Sequence, residues 1–209
     1  IAITTGDNQS IYVTGGFGGV DNFGGANLTS SGSYDVFVLK LDMNGNYIWA
    51  KNMGGTSNDE GYGIDVDASG NVFTTGFFQG TADFNPGTGT YNLSSQGIGD
   101  IFICKLSSSG NFIWAAGIGS SNNDFGYSLA LDPLGNVIAS GYFSGTVDFN
   151  PGAGSSNLTA SGTWEAFVLK LDNTGNFVWA KKLSGTSTTY SIAQTVTTDI
   201  FSNIYLSGI

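Results

Sequence analysis

Histidine and arginine are both missing from the 209 residues, and cysteine occurs once. Without histidine there is no Ser-His or Cys-His catalytic pair and no imidazole metal ligand. Without arginine, the six basic residues are all lysine, set against 16 Asp and Glu for a net charge of −10. A phosphate-tracking surface needs clustered Lys and Arg, so nucleic acid is excluded as a partner, and anionic lipid is disfavoured for the same reason. A single cysteine, Cys104, allows no internal disulfide and says little about redox compartment. Charged residues amount to only 11%, yet no apolar run approaches the ~20 residues of a membrane-spanning helix, and membrane insertion is not expected. No signal peptide is visible, and the chain opens on Ile1 rather than Met, which leaves room for an upstream segment.

What is present is glycine, 33 residues of it, with 13% aromatic and 40% hydrophobic residues. That is ample material for a core, and it speaks against disorder. So much glycine would be costly inside helices, which speaks against a helical bundle. The order of these residues is periodic. Residues 61–119 and 126–184 align without a gap at an offset of 65, with 27 of 59 positions identical. Both carry G-N-V (from Gly70 and Gly135), G-T-x-D-F-N-P-G-x-G (from Gly80 and Gly145) and K-L-x-x-x-G-N-F-x-W-A (ending at Ala115 and Ala180). An earlier copy carries the last motif through Lys40, Gly45 and Trp49. It is four residues shorter between Gly15 and Asn27 and lacks D-F-N-P-G. A further copy starts near Tyr190 and stops at Ile209.

Within a copy, short alternating segments such as 61–67, 71–78, 100–107 and 111–119 read as strands, joined in pairs by hairpins with glycine at the left-handed position. Four strands per ~65 residues with one long connection match a blade of a β-propeller. A β-helix has a finer repeat, and a β-sandwich would not repeat at a fixed offset. The expected architecture is therefore all-β: a single array of four-stranded antiparallel blades at about 1–60, 61–125 and 126–188, with a partial blade at 189–209. About 3.3 blades do not close a ring of the usual four to eight. The remaining blades are expected from a longer form of the same chain or from other copies.

Trp49, Trp114 and Trp179 recur at the same place in KLDMNGNYIWAK, KLSSSGNFIWAA and KLDNTGNFVWAK. The segment is similar to the docking motif of quinoprotein-type propellers, in which an outer-strand Trp packs between blades, so these three are assigned a structural role. With G-x-x-x-D-x-x-G-N-V-x-x-x-G-x-F and G-T-x-D-F-N-P-G added, nearly the whole chain resembles the bacterial β-propeller repeats labelled SBBP. That resemblance implies a propeller in a long secreted or cell-surface bacterial protein, and it brings no enzymatic activity with it.

Several residues are candidates for more than packing. Asp83, Asn85 and Gly87, and Asp148, Asn150 and Gly152 one copy on, space oxygen donors two residues apart as a short Ca²⁺ loop does. The competing reading of each is a plain Pro-Gly turn capped by its own Asp and Asn. Asp59 and Glu60, with Asp124, lie in loops between blades and could form a ring of carboxylates for a cation or a basic peptide; the alternative is a solvated turn. The corresponding Thr188-Thr189-Tyr190 has no acid. Trp164 replaces a glycine and is the candidate for an exposed aromatic contact, with Tyr91 and Tyr142 as possible companions in stacking on a glycan. Asp42 and Asp172 open hairpins that look like the start of an EF-hand loop but lack its downstream Glu, and the turn reading prevails. Asp65 and Asp67 share a strand face and are the only carboxylate pair considered for acid–base work. Cys104 reads as a small buried hydrophobe. Asn27, Asn92 and Asn157 open N-x-S/T sequons but read as residues satisfying local backbone.

These readings favour a non-enzymatic interaction or structural module, for adhesion, scaffolding or surface assembly, meeting a protein or glycan partner at its loop rim. A calcium-dependent or carbohydrate-binding propeller is the alternative.

Overall fold

The computed structural model describes residues 1–6, 9–25, 27–183 and 190–209. Thr188 and Thr189, part of the acid-free loop noted above, lie outside the described residues. No helix occurs among the described residues.

The chain begins with β1 (Ala2–Gly6), β2 (Ser10–Phe17), β3 (Val20–Asn22), β4 (Asn27–Thr29), β5 (Asp35–Asp42) and β6 (Tyr47–Gly55). Next come β7 (Asp59–Val66), β8 (Val72–Phe78), β9 (Thr81–Asp83), β10 (Asn92–Ser94), β11 (Asp100–Leu106) and β12 (Phe112–Ile118). They are followed by β13 (Phe125–Leu131), β14 (Val137–Phe143), β15 (Thr146–Asp148), β16 (Asn157–Thr159), β17 (Glu165–Leu171) and β18 (Phe177–Leu183). The last are β19 (Ala193–Thr198) and β20 (Ile204–Gly208). The strands form antiparallel blades in the orders β1-β2-β5-β6, β7-β8-β11-β12 and β13-β14-β17-β18, and a two-stranded unit β19-β20. The first strands, β1, β7, β13 and β19, lie beside one another, as the inner strands of a propeller do.

The long connection inside each blade is not plain loop. It holds a ribbon of two three-residue strands, β3-β4, β9-β10 or β15-β16, and β9 also pairs with the end of β6 in the preceding blade. The ribbon explains D-F-N-P-G. Phe84 and Phe149 are completely buried, each wedged against two phenylalanines of its own blade: Phe78 and Phe102, or Phe143 and Phe167. In the first copy, which lacks the motif, Phe23 makes the same contacts with Phe17 and Phe37. The shorter connection has kept its plug.

The blades bury their faces against each other. One cluster joins Val36, Val38 and Met53 of the first blade to Val72, Phe102 and Cys104 of the second. Another joins Phe73, Ile101 and Ile103 to Val137, Phe143 and Leu169, and a smaller one joins Ile138 and Val168 to Val196. At the outer end of each junction the tryptophans reach the next blade. Trp49 donates its indole N–H to Ser108 O at 3.2 Å and Trp114 to Asn173 O at 3.3 Å. Lys40 and Lys105 donate to the same two carbonyls. Each indole lies over the glycine of the receiving hairpin, Gly110 (φ +77) or Gly175 (φ +89), where an added Cβ would sit 3.3 or 3.1 Å from the ring. Trp179 packs against the Ile138–Val196 cluster, while its neighbour Lys170 pairs with Asp132 of the same blade at 2.7 Å.

The hairpin aspartates act on their own turns. Asp42 accepts N–H bonds from Asn44 and Asn46 on Oδ1 and the Asn46 side-chain amide on Oδ2, each at 2.8 Å. Asp67, Asp132, Asp172 and Asp199 repeat the pattern. In the β11–β12 hairpin Ser107 takes the place of the carboxylate.

Candidate functional site

One end of the blade array gathers the residues that are not explained by packing alone. There the start of the third strand in one blade meets the start of the first strand in the next. Single parallel bridges form the seam: Tyr34 with Asn58, Gly99 with Asn123, and Trp164 with Tyr190. The N–H groups of Asp59, Asp124 and Ser191 donate across it to Tyr34, Gly99 and Trp164 carbonyls at 2.8–3.0 Å.

Asp59 and Asp124 do not face solvent, contrary to both the rim-contact and the solvated-turn expectations: each is 0% exposed. Asp59 accepts from Gly55 N at 2.7 Å and Gln79 N at 3.0 Å. Asp124 accepts from Ser120 N and Oγ and from Ser144 N. Strand alternation puts Glu60 on the other side of β7, where its carboxylate accepts the Tyr62 hydroxyl proton at 3.3 Å. The sequence reading missed the acids facing them across the seam. Asp35, Asp100 and Glu165 open the third strand of each blade and are buried. Their spacing of 65 was the available signal, blurred by the change from Asp to Glu. Burial, followed in strength by opposing backbone hydrogen bonds, raises Asp59 and Asp100 to about 6. Asp35 and Asp124 are also raised by burial.

A tier of aromatic rings runs along the same end. Tyr62 stacks on Tyr127 at 5.6 Å, Tyr127 meets Tyr142 at 5.8 Å, Tyr142 meets Trp164 at 5.0 Å, and Trp164 meets Tyr190 at 6.1 Å. The tier is half-buried at Tyr62 and Tyr127, closed at Tyr142, and open at Trp164 and Tyr190. Tyr142 is 4% exposed, whereas Trp164 is 37% and Tyr190 53%. Tyr142 therefore supports Trp164 from below and offers no free face. Tyr91, the other stacking candidate, packs on Phe112 of the outer strand instead.

The remaining candidates sit elsewhere. Asp83 Oδ1 accepts from Asn85 N and Tyr91 N, and Asn85 Oδ1 accepts from Gly87 N. Asp148, Asn150 and Gly152 repeat this with Ser156 as the distant donor. Those oxygens meet the N–H groups of their own loop, which is the geometry of a capped turn. Among the described residues, no group of three or more His, Cys, Asp or Glu could hold a metal ion. Asp65 accepts from Leu131 N of the next blade while Asp67 closes its hairpin, so the two do not work as a pair. Cys104 is fully buried, and burial pushes its thiol far up, as suits an inert core residue. Asn92 and Asn157 are exposed on their ribbons.

No family model matches the chain. It is 29% identical over 182 residues to an uncharacterized WD repeat-containing protein of Acanthamoeba polyphaga mimivirus, covering 79% of this chain and 13% of that protein. It is 25% identical over 145 residues to the regulatory protein FlaEY of Caulobacter vibrioides, covering 69% of this chain and 15% of that one. The chain thus spans a small part of the length of the curated relatives it matches. Its 65-residue blade exceeds the ~40–45 residues of a WD blade by about the length of the internal ribbon and its flanks. Together, the weak likeness to a WD-repeat protein and the four-stranded antiparallel sheets identify a repeat β-propeller.

Proposed function

We propose that this propeller is an interaction module that binds a protein partner at the aromatic end of its blades. The observation that carries the reading is the Trp164–Tyr190 pair, the most exposed rings of the tier, backed by the buried Tyr142. Large, rigid aromatic side chains held in one orientation lose little entropy on binding and are favoured as interface anchors. Likeness to a WD-repeat protein supports a scaffold over an enzyme. The net charge of −10 favours a partner with a basic contact surface. A glycan platform built on Trp164 with Tyr91 and Tyr142 has less support, because Tyr142 is covered and Tyr91 packs on Phe112 of the outer strand. In this reading the module belongs to an exported or surface-displayed bacterial protein used for adhesion or scaffolding, which is what the resemblance to SBBP repeats would imply.

The experiment is affinity capture with the wild-type chain and with Trp164→Ala/Tyr190→Ala, both shown to unfold at similar temperature. Partners should be retained by the wild type and lost from the double variant. Equal retention by both would sink the assignment of the binding face.

A further inference from the structure

The first two seams each confront two carboxyl groups inside the protein. Asp35 and Asp59 directly follow the bridged residues Tyr34 and Asn58, and Asp100 and Asp124 follow Gly99 and Asn123. The four are 0–2% exposed. Their hydrogen bonding is unequal in the same way at both seams. Asp59 and Asp124 receive N–H donors on both oxygens. Asp35 receives Ser31 N and the Asn52 amide on Oδ2 only, and Asp100 receives Gln96 N on Oδ2. The Oδ1 atoms of Asp35 and Asp100 are buried without a partner.

Among the described residues, no lysine forms an ion pair with either pair of acids. The groups around the first are the neutral Asn52, Ser31, Gly55 and Gln79, with Glu60 on the far side of β7. Around the second are Gln96, Ser120, Ser144 and the Tyr142 ring. The third seam is built differently. Its acid, Glu165, has Lys182 at 3.6 Å, at the repeat position held by Asn52 and Gly117 in the others. The position of Asp59 and Asp124 is there Thr189, which lies outside the described residues. One buried acid thus comes with a lysine, and two buried acids come with none.

We propose that each carboxyl pair, Asp35–Asp59 and Asp100–Asp124, is a proton clasp that holds one proton from solvent and releases it to solvent, tightening the blade seam when occupied and loosening it when both acids ionise. The bare Oδ1 of Asp35 or Asp100 is a seat for the proton. The N–H donors around Asp59 and Asp124 favour the negative charge there; in the first seam burial raises Asp59 as well, so that pair shares its proton between both acids. Burial raises the carboxyls, and each pair adds mutual repulsion, with Asp59 and Asp100 at about 6. A raised carboxylate means that the folded state binds the proton more tightly than the unfolded chain. The clasp therefore stabilises at mildly acidic pH and is lost as pH rises through about 6. The clasped seams are the first two, in the same row of blade junctions as the third seam, where Trp164 and Tyr190 meet.

Carboxyl ¹³C NMR of the unmodified chain is the direct test, because it needs no variant. The Asp carbons of each seam should titrate as a coupled pair, with one proton per seam leaving as pH rises through about 6. Thermal unfolding provides the second arm. The wild type should melt about 5 °C lower at pH 7.5 than at pH 5.0. Asp35→Asn/Asp100→Asn, which mimics the protonated form, should melt higher than wild type at pH 7.5 and show a flatter pH dependence. The proposal is overturned if every Asp carbon is already ionised at pH 5. It is also overturned if the variant loses stability at both pH values with the slope intact, or if millimolar Ca²⁺ alone abolishes the wild-type slope, which would make the seam a cation site.

Discussion

Trp114 rests on Gly175 and bonds to Asn173 O, both in the next blade, so one side chain carries apolar packing and a directional bond across the seam. Trp114→Ala should cost about 2–3 kcal/mol in denaturant unfolding, somewhat below a fully buried tryptophan because the ring is half exposed. A loss below 1 kcal/mol would mean that the ring is not a seam element. Two glycines separate backbone strain from docking. Gly45 (φ +82) has nothing within 4 Å of an added Cβ, whereas at Gly110 (φ +77) it would crowd Lys51 and Trp49. Gly45→Ala should cost only the left-handed penalty of about 1 kcal/mol, and Gly110→Ala measurably more. Equal losses would show that Trp49 does not press on that hairpin. At this scale the tryptophans were readable because their motif recurs with glycine at a constant distance. Asp35 and Asp100 were not, because a solvated and a buried aspartate look alike in sequence, and only the bridge between blades reveals which each one is.

At the level of elements, the ribbon is the part that the blade pattern concealed. Three-residue strands such as Thr81–Asp83 are too short to show alternation, so the connection read as loop. Its repeated D-F-N-P-G invited a metal reading through Asp83 and Asn85, while the residue that governs packing is the phenylalanine between them. Phe84→Ala should lose about 3–5 kcal/mol, since a completely buried ring wedged against Phe78 and Phe102 leaves a cavity. Asp83→Ala removes two accepted N–H bonds at a loop and should cost about 1–2 kcal/mol. Urea titration checks both, and the reverse ranking would restore the carboxylate as the reason for the motif. The blades themselves were legible because glycine hairpins and alternating strands recur at a fixed offset, each strand preferring locally what the sheet requires.

Across the whole molecule, two populations of aspartate pull in opposite directions with pH. The hairpin carboxyls of Asp132 and Asp172 are held below the usual range: against the upward push of burial, bonds from Thr174 and Asn176 bring Asp172 down to about 2, and Asp132 is lowered by Lys170 and Asn136 against the same push. Their stabilisation is present above the unfolded value of 3.8 and lost as pH falls through the folded one. The seam carboxyls act from the other side, favouring the fold below about 6. Stability should therefore peak near pH 4 in a melting-temperature profile and decline towards pH 6 and above, and a maximum at pH 8 would contradict that balance. The charge of −10 was plain from composition, but its division between open hairpins and closed seams follows only from the arrangement of blades.

The proposed role as an interaction propeller rests on where a partner touches it. A photo-activatable cross-linker placed at position 164, and separately at exposed position 43 in the outer hairpin of the first blade, maps that contact directly. Cross-links to a partner from position 164 and none from position 43 are the predicted result. Cross-links from position 43 alone would contradict it and move the binding surface to the outer hairpins.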